Sequence, residues 1–254
     1  MLACPNKFKE ALKEKKQQIG LWQSLGSFYT AEICAGSGFD WLLIDAEHGP
    51  NDLLTVLHQL QAVAPYPVHP VVRPVIGSDH QIKRYLDIGA QTLLIPMVED
   101  GRQAREIARA VQYPPKGIRG VGAAVARASR WNRVPGYLKK AGESICLLLQ
   151  VESVEALKNL EDITSTPGVD GIFIGPSDLS ASMGYLGDAG HPDVVSAVKK
   201  AIRVIAAKGK APGLLSGDEK LAREYMEAGS LFTAVGTDVG ILARGAEALA
   251  KKFA

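Results

Sequence analysis

The sequence predicts an α/β fold, specifically a (β/α)8 TIM barrel, on three observations. Short apolar runs recur along the chain, each is followed by a segment with helical periodicity, and eight such units fill 254 residues, a length typical of that barrel. Strict strand–helix alternation implies right-handed crossovers and a parallel sheet. A doubly wound open sheet is the alternative plan built from the same parts.

The apolar runs, in order, are IGLW (Ile19–Trp22), WLLID (Trp41–Asp45), PVVR (Pro70–Arg73), TLLIPM (Thr92–Met97), CLLLQVE (Cys146–Glu152), GIFIGP (Gly171–Pro176), PGLLS (Pro212–Ser216) and LFTAVG (Leu231–Gly236). Runs this short and this apolar suit strands buried on both faces. Between them, segments such as NDLLTVLHQLQAVA (51–64) and EKLAREYMEAG (219–229) carry apolar residues at three- and four-residue spacing, with polar caps near their starts. These predict amphipathic helices. The basic opening, Lys7–Lys16, predicts a solvated helix that caps the lower end of the barrel. Only residues 113–138, YPPKGIRGVGAAVARASRWNRVPGYL, break the rhythm, and long connections in compact domains are usually functional or mobile. Their glycines follow a Pro-Pro turn rather than a strand, so they make no dinucleotide-binding fingerprint. No Pro/Gly/Ser-rich linker divides the chain, and one domain over 1–254 is expected.

Composition excludes several classes of partner. With 46% hydrophobic and 22% charged residues the chain can bury a large core, and its net charge of +2 (29 basic, 27 acidic) gives no electrostatic footprint for nucleic acid or anionic membrane. A small molecule is the expected partner. No apolar run approaches the roughly 18 residues of a membrane span, and the opening has no signal-peptide core, so a cytoplasmic protein is expected. Cys4, Cys34 and Cys146 lie far apart without metal-ligand spacing and are read as free thiols with structural roles.

Barrel active sites lie at the carboxyl ends of the strands. The polar residues there are Asp45, Glu47 and His48 after the second run, Arg73 on the third, Gln150 and Glu152 on the fifth, and Asp178 after the sixth. Glu152 and Asp178 suit a hard divalent cation such as Mg²⁺ or Mn²⁺, which prefers oxygen ligands and accepts one or two carboxylates plus substrate oxygens. Asp45, close before His48, is expected to orient its imidazole and raise its basicity, which makes a general base. Arg73 supplies fixed positive charge for a developing oxyanion. Blander roles compete: Asp178 as the N-cap of a helix beginning near Leu179, Asp45 and Glu47 as structural partners of Arg73, and Trp22 and Leu215 as rim packing. His58, His69, His80 and His191 are read as structural. Arg119, Arg127, Arg130 and Arg133 of the long segment are read mostly as solvated or at subunit contacts. No lysine falls on a candidate strand, for Lys83 and Lys158 sit on helical patterns and Lys210 precedes the seventh run, which argues against Schiff-base chemistry. LLSGD and AVGTDVG are weak phosphate-loop candidates.

GFDWLLIDAEHGPND, PVVRP, LLIPMV, YPPKGIRGVG, LLQVES and GVDGIFIGPSDLSASMG together resemble the HpcH/HpaI family of class II pyruvate aldolases along nearly the whole chain. The resemblance implies a phosphoenolpyruvate/pyruvate-type barrel holding Mg²⁺, Mn²⁺ or Co²⁺ through Glu152 and Asp178. It implies pyruvate held by backbone N–H groups around Ser177 and Asp178, enolate stabilisation by Arg73, and His48 as base for the C4 hydroxyl. Gln150, Trp22 and Leu215 would surround the substrate. Asp87 of YLDIGAQ would approach the histidine from a neighbouring subunit, in a homohexamer (a trimer of dimers) whose C-terminal helices, Ile241–Phe253, are exchanged. By resemblance again, the stretches GVGAAVARASRWNRVPGYL and ILARGAEALAKKFA look most like family members that act on 4-hydroxy-2-oxoheptanedioate, which implies its reversible cleavage to pyruvate and succinate semialdehyde, a step of homoprotocatechuate (4-hydroxyphenylacetate) degradation. The alternatives are a 2-keto-3-deoxy sugar acid of the glucarate or rhamnonate type as substrate, and a non-catalytic metabolite-binding barrel. Two departures bear on the aldehyde: AEHGPN where the family usually reads GEHAPN, and LLSGD where it is more apolar with Asn.

Overall fold

The computed structural model describes residues 5–254, so Cys4 lies outside the described residues. Eight parallel strands close into a ring in chain order: β1 (Gln18–Gln23), β2 (Trp41–Asp45), β3 (His69–Arg73), β4 (Thr92–Ile95), β5 (Cys146–Val151), β6 (Gly171–Ile174), β7 (Ala211–Leu215) and β8 (Phe232–Thr237), with β8 pairing back onto β1. Closure decides against the open sheet. The helices are α1 (Lys7–Lys13), α2 (Phe28–Ala35), α3 (Leu53–Ala62), α4 (Asp79–Asp87), α5 (Gly101–Ala110), α6 (Tyr137–Ser144), α7 (Val154–Lys158), α8 (Leu160–Thr164), α9 (Pro176–Ser182), α10 (Pro192–Ala207), α11 (Glu219–Glu227) and α12 (Asp238–Ala250). No helix among the described residues is long and apolar enough to cross a membrane.

Side chains alternate along each strand between the barrel interior and the helices outside. The inward set on β2 is Trp41, Leu43 and Asp45; on β5 it is Cys146, Leu148 and Gln150, with Glu152 continuing the parity just beyond. Each strand thus carries apolar bulk below and polar groups at its carboxyl end. The floor is aromatic. Phe8 of α1 lies 5.9 Å from Trp41 and 6.0 Å from Phe232, and stacks on His69 at 5.4 Å. Asn6 caps α1 and donates to Gln91 O, Thr92 Oγ1 and Ser144 O, which fastens the helix across the amino-terminal mouth. Gly20 and Gly213 leave the space that the Trp41 and Phe232 rings occupy; a Cβ at either would overlap the ring.

Three expectations change. β4 stops at Ile95 rather than Met97, because Pro96 has no N–H for the ladder and Met97 turns into the left-handed region (φ 54°). Its N–H then points at Glu152 Oε1, 3.0 Å away. In the long segment, Arg119 is neither solvated nor on the surface: it is buried and paired with Asp87. Arg127 is half-buried and donates to Ile88 O (2.9 Å), satisfying a carbonyl at the end of α4; Arg130 and Arg133 are exposed. The segment is therefore stapled to the carboxyl end of α4, with a short 3₁₀ turn at Arg127–Ser129.

The last helix leaves the barrel almost at once. Asp238, at its start, is buried and accepts the Ser24 and Leu25 N–H groups at 2.8 and 3.2 Å, which ties the final helix to the loop after β1. Beyond it Ile241, Leu242, Leu249 and Phe253 are exposed.

His69 bonds to Thr92 Oγ1 (2.7 Å) under Phe8, and burial pushes its imidazole down from the usual 6.5 to about 4. The unfolded chain takes up this proton near pH 6.5 and the folded chain only near pH 4, so stability should fall as pH drops through that window. Denaturant unfolding of the wild type and of His69→Gln at pH 7 and pH 5 checks this; the variant should lose part of the pH dependence.

Candidate active site

One pair of strands lays out the centre. β2 and β3 run in register so that Asp45 faces Arg73, and both side chains point inward at the carboxyl mouth. Arg73 Nε donates to Asp45 Oδ1 (2.9 Å) and Nη2 to Oδ2 (2.7 Å), a two-pronged pair with both side chains buried. Trp22 Nε1 donates to Asp45 Oδ2 at 3.0 Å, and the guanidinium lies 4.8 Å from the centre of the Trp22 ring. The Glu47 and His48 backbone N–H groups donate to Asp45 Oδ1 at 3.0 and 3.3 Å. Burial alone would raise the Asp45 carboxyl; the hydrogen bond and charge of Arg73, helped by Trp22, bring it below the usual range.

This corrects the expected link from Asp45 to the imidazole. Asp45 fixes the backbone of His48, while its oxygens are committed to Arg73, Trp22 and two amides. The His48 side chain is 70% exposed, with Nε2 4.0 Å from Glu47 Oε2. Glu47 pairs with Arg73 Nη1 at 2.9 Å, as a structural partner would. Sequence reasoning missed Asn51, whose buried Nδ2 donates to Asp45 O (2.7 Å) while its Oδ1 accepts from Gln59 (2.6 Å). An Asn directly after the Gly-Pro turn was the available signal. Gly49 allows that turn: a Cβ there would strike the Asp45 carbonyl.

Across the mouth, Glu152 is buried. Its Oε1 accepts the Met97 N–H, and its Oε2 accepts from Gln150 Nε2, while Gln150 Oε1 lies 3.5 Å from Arg73 Nη1. Burial raises the Glu152 carboxyl, partly offset by Gln150 and Met97 and reinforced by the charges of Asp178 and Glu47. Gly175 admits this packing, since a Cβ there would meet Glu152 Oε2. Asp178 is not the N-cap of its helix. That helix starts at Pro176 with Gly175 as cap, and Asp178 stands exposed in its first turn beside Ser177.

Together these residues line a cavity of about 780 Å³, with Trp22 and Phe173 at its base and Leu215, Ser216 and Leu221 on the β7 side. No lysine lines it. Among the described residues no three His, Cys, Asp or Glu side chains form a complete metal cage. The donor set nevertheless fits a hard cation that brings other oxygens with it: among the described residues no cationic side chain pairs with the buried Glu152 carboxylate, and Glu47 and Asp178 add to its negative field. Asp87 is not brought here. It ends α4 at the opposite mouth of the same barrel, paired with Arg119.

The family description HpcH/HpaI aldolase/citrate lyase matches residues 18–245 of this chain. The chain belongs to that family. An Escherichia coli protein named 4-hydroxy-2-oxo-heptane-1,7-dioate aldolase is 59% identical over 248 residues, covering 98% of this chain and 95% of that protein. The crystal structure of an HpcH/HpaI aldolase/citrate lyase family protein from Burkholderia cenocepacia J2315 superposes with a TM-score of 0.94 at 39% identity, covering 98% of this chain and 99% of that one. The citrate lyase β subunit from M. tuberculosis, complexed with oxaloacetate and magnesium, shares the fold (TM-score 0.59, 17% identity, 88% and 92% covered). This family member therefore joins relatives with the same barrel over almost its full length.

Replacing Asp45 with Asn removes one member of a buried pair and leaves Arg73 with Glu47 alone. The expected loss is roughly 3–5 kcal/mol of stability, measured as a fall in the denaturant midpoint relative to the wild type.

Proposed function

We propose that the protein is a metal-dependent aldehyde-lyase that splits 4-hydroxy-2-oxoheptanedioate reversibly into pyruvate and succinate semialdehyde, within homoprotocatechuate degradation in the cytoplasm. The observation that carries this reading is the juxtaposition, at one barrel mouth, of an oxygen-only acidic pair, Glu152 and Asp178, with a rigidly held arginine and an exposed histidine. The 59% identity to curated proteins of that name supports the substrate.

Glu152 and Asp178 would hold the divalent cation, whether Mg²⁺, Mn²⁺ or Co²⁺, and when bound it supplies Lewis-acid stabilisation of negative charge on the 2-oxo acid. Free N–H groups near Ser177 and Asp178 receive the pyruvate carboxylate. His48 takes the C4 hydroxyl proton; the C4–O electrons form the aldehyde carbonyl, the C3–C4 bond breaks, and its electron pair passes into the enolate of pyruvate. Arg73 faces that enolate oxygen. Because Asp45 and Trp22 hold the guanidinium on one side, little reorganisation is needed when charge develops there. Gln150 positions both Arg73 and Glu152, and Trp22 and Leu215 bound the substrate space. The exposed apolar residues of α12 support assembly as a homohexamer with exchanged C-terminal helices, in which Asp87 of one copy meets His48 of another.

Pyruvate release from 4-hydroxy-2-oxoheptanedioate and from a 2-keto-3-deoxy sugar acid, each with chelator and with Mn²⁺ restored, tests the reading. Chelator should abolish release and Mn²⁺ restore it, with the dioate preferred. Preference for the sugar acid would move the enzyme to sugar-acid catabolism, and full activity in chelator would overturn the metal assignment. His48→Ala should lose about 10²- to 10⁴-fold in kcat, read from steady-state kinetics with the same metal; a rate near that of the wild type would remove His48 from the role of base.

A further inference from the structure

Among the described residues of one chain, no acid orients His48, the base proposed above. Both Asp45 oxygens are occupied, and Glu47 is 4.0 Å from the imidazole and bound to Arg73. A general base on an exposed side chain works best when an acid holds its ring.

At the other mouth lies an acid in an unfavourable place. Asp87 is the last residue of α4, where the negative end of the helix dipole and its free carbonyls disfavour a carboxylate. What compensates is Arg119, whose Nη2 donates to Asp87 Oδ1 at 2.7 Å. The pair is one-sided, for the Arg119 side chain is 1% exposed and the Asp87 side chain 27%. Burying a guanidinium is costly unless its surroundings hold it, and here they hold it in one direction. It lies 4.4 Å from the centre of the Tyr113 ring, with Tyr137 near enough to act on its charge, and its backbone N–H donates to Gln112 O (2.9 Å). Joining the long segment to α4 does not require this pair, since Arg127 already binds Ile88 O. Beside the other carboxylate oxygen stands Gly122, where even an added Cβ would lie 3.7 Å from Oδ2, so that oxygen is not crowded.

We infer that Arg119, buried against the Tyr113 ring, is a positioning residue for the cleavage reaction, holding one oxygen of Asp87 so that the other is presented to His48 of a second copy of this chain. The inference rests on the reading above. Arg119 does not touch substrate. It acts through Asp87, and its effect belongs to the site of the neighbouring copy.

The experiment uses full-length Arg119→Gln, Arg119→Lys, Tyr113→Leu, Asp87→Asn and His48→Ala proteins, assayed for Mn²⁺-dependent pyruvate release from 4-hydroxy-2-oxoheptanedioate. Arg119→Gln should lower kcat about 10- to 100-fold, the usual scale for a group that orients a functional imidazole, with KM and Mn²⁺ affinity unchanged. Arg119→Lys should recover most of the loss. Adding Arg119→Gln to Asp87→Asn should cost nothing further. The decisive arm co-expresses His48→Ala and Arg119→Gln chains with different tags. In mixed assemblies roughly one site in four combines an intact His48 with an intact Arg119 from the other copy, so activity should rise well above that of either parent. Mixed assemblies no more active than their parents, or an Arg119→Gln kcat equal to that of the wild type, would overturn the inference. If Arg119→Gln does not fold, Tyr113→Leu, which removes the ring 4.4 Å from the guanidinium, carries the same kinetic and mixing arms, with a smaller loss expected and the same results overturning it. A wild type that fails to cleave the dioate would overturn the functional reading and this inference together; variants that fail these tests beside an active wild type overturn the inference alone.

Discussion

The buried pair between Asp45 and Arg73 is the constraint about which the mouth of this barrel is arranged. Two adjacent strands in register place a carboxylate opposite a guanidinium, and the two-pronged geometry leaves Arg73 little freedom. Trp22 closes the pair from β1, Glu47 takes the third guanidinium nitrogen, and Gln150 links it toward Glu152 on β5. Removing charges from water is costly. The return is a fixed positive centre facing a group of carboxylates. The turn after β2 depends on the same pair, because Asp45 also holds the amides that set where His48 begins.

Much of this was legible in the sequence, for physical reasons. A barrel strand alternates inward and outward, so the parity of Trp41 and Leu43 extends to Asp45, and that of Cys146 and Leu148 extends to Gln150 and Glu152. Reading that parity to the carboxyl end of each run collects the polar rim without coordinates. The strand at Thr92 was overrun because hydrophobicity does not distinguish a ladder residue from Met97, which leaves the ladder to offer its N–H to Glu152.

The partners of the rim residues were less legible. Asp45 precedes His48 closely enough to suggest contact with the imidazole, yet the turn brings the backbone of His48 to the carboxylate and sends the ring outward. Asp178 looked like a helix cap until Gly175 took that position. Arg119 is the sharpest case. An arginine in a glycine-rich stretch reads as solvated, and nothing local announces that Tyr113, Tyr137 and Asp87 enclose it. Such pairings are non-local: they depend on the path of a long segment across the foot of α4, which periodicity does not encode.

The lip formed by Leu215, Ser216 and the start of α11 borders the cavity, but the hydrogen bonds of Ser216 and Asp218 run to Ala234 and within residues 216–222, with none to Asp45 or Arg73. Its side chains are thus free to vary without disturbing the charged frame opposite. In the reaction proposed above Leu215 bounds the substrate space, and on that reading a duplicated copy of this gene could exchange one aldehyde for another through drift at that lip while inheriting the bond-breaking apparatus intact. Substrate range and chemistry would then be separately heritable traits.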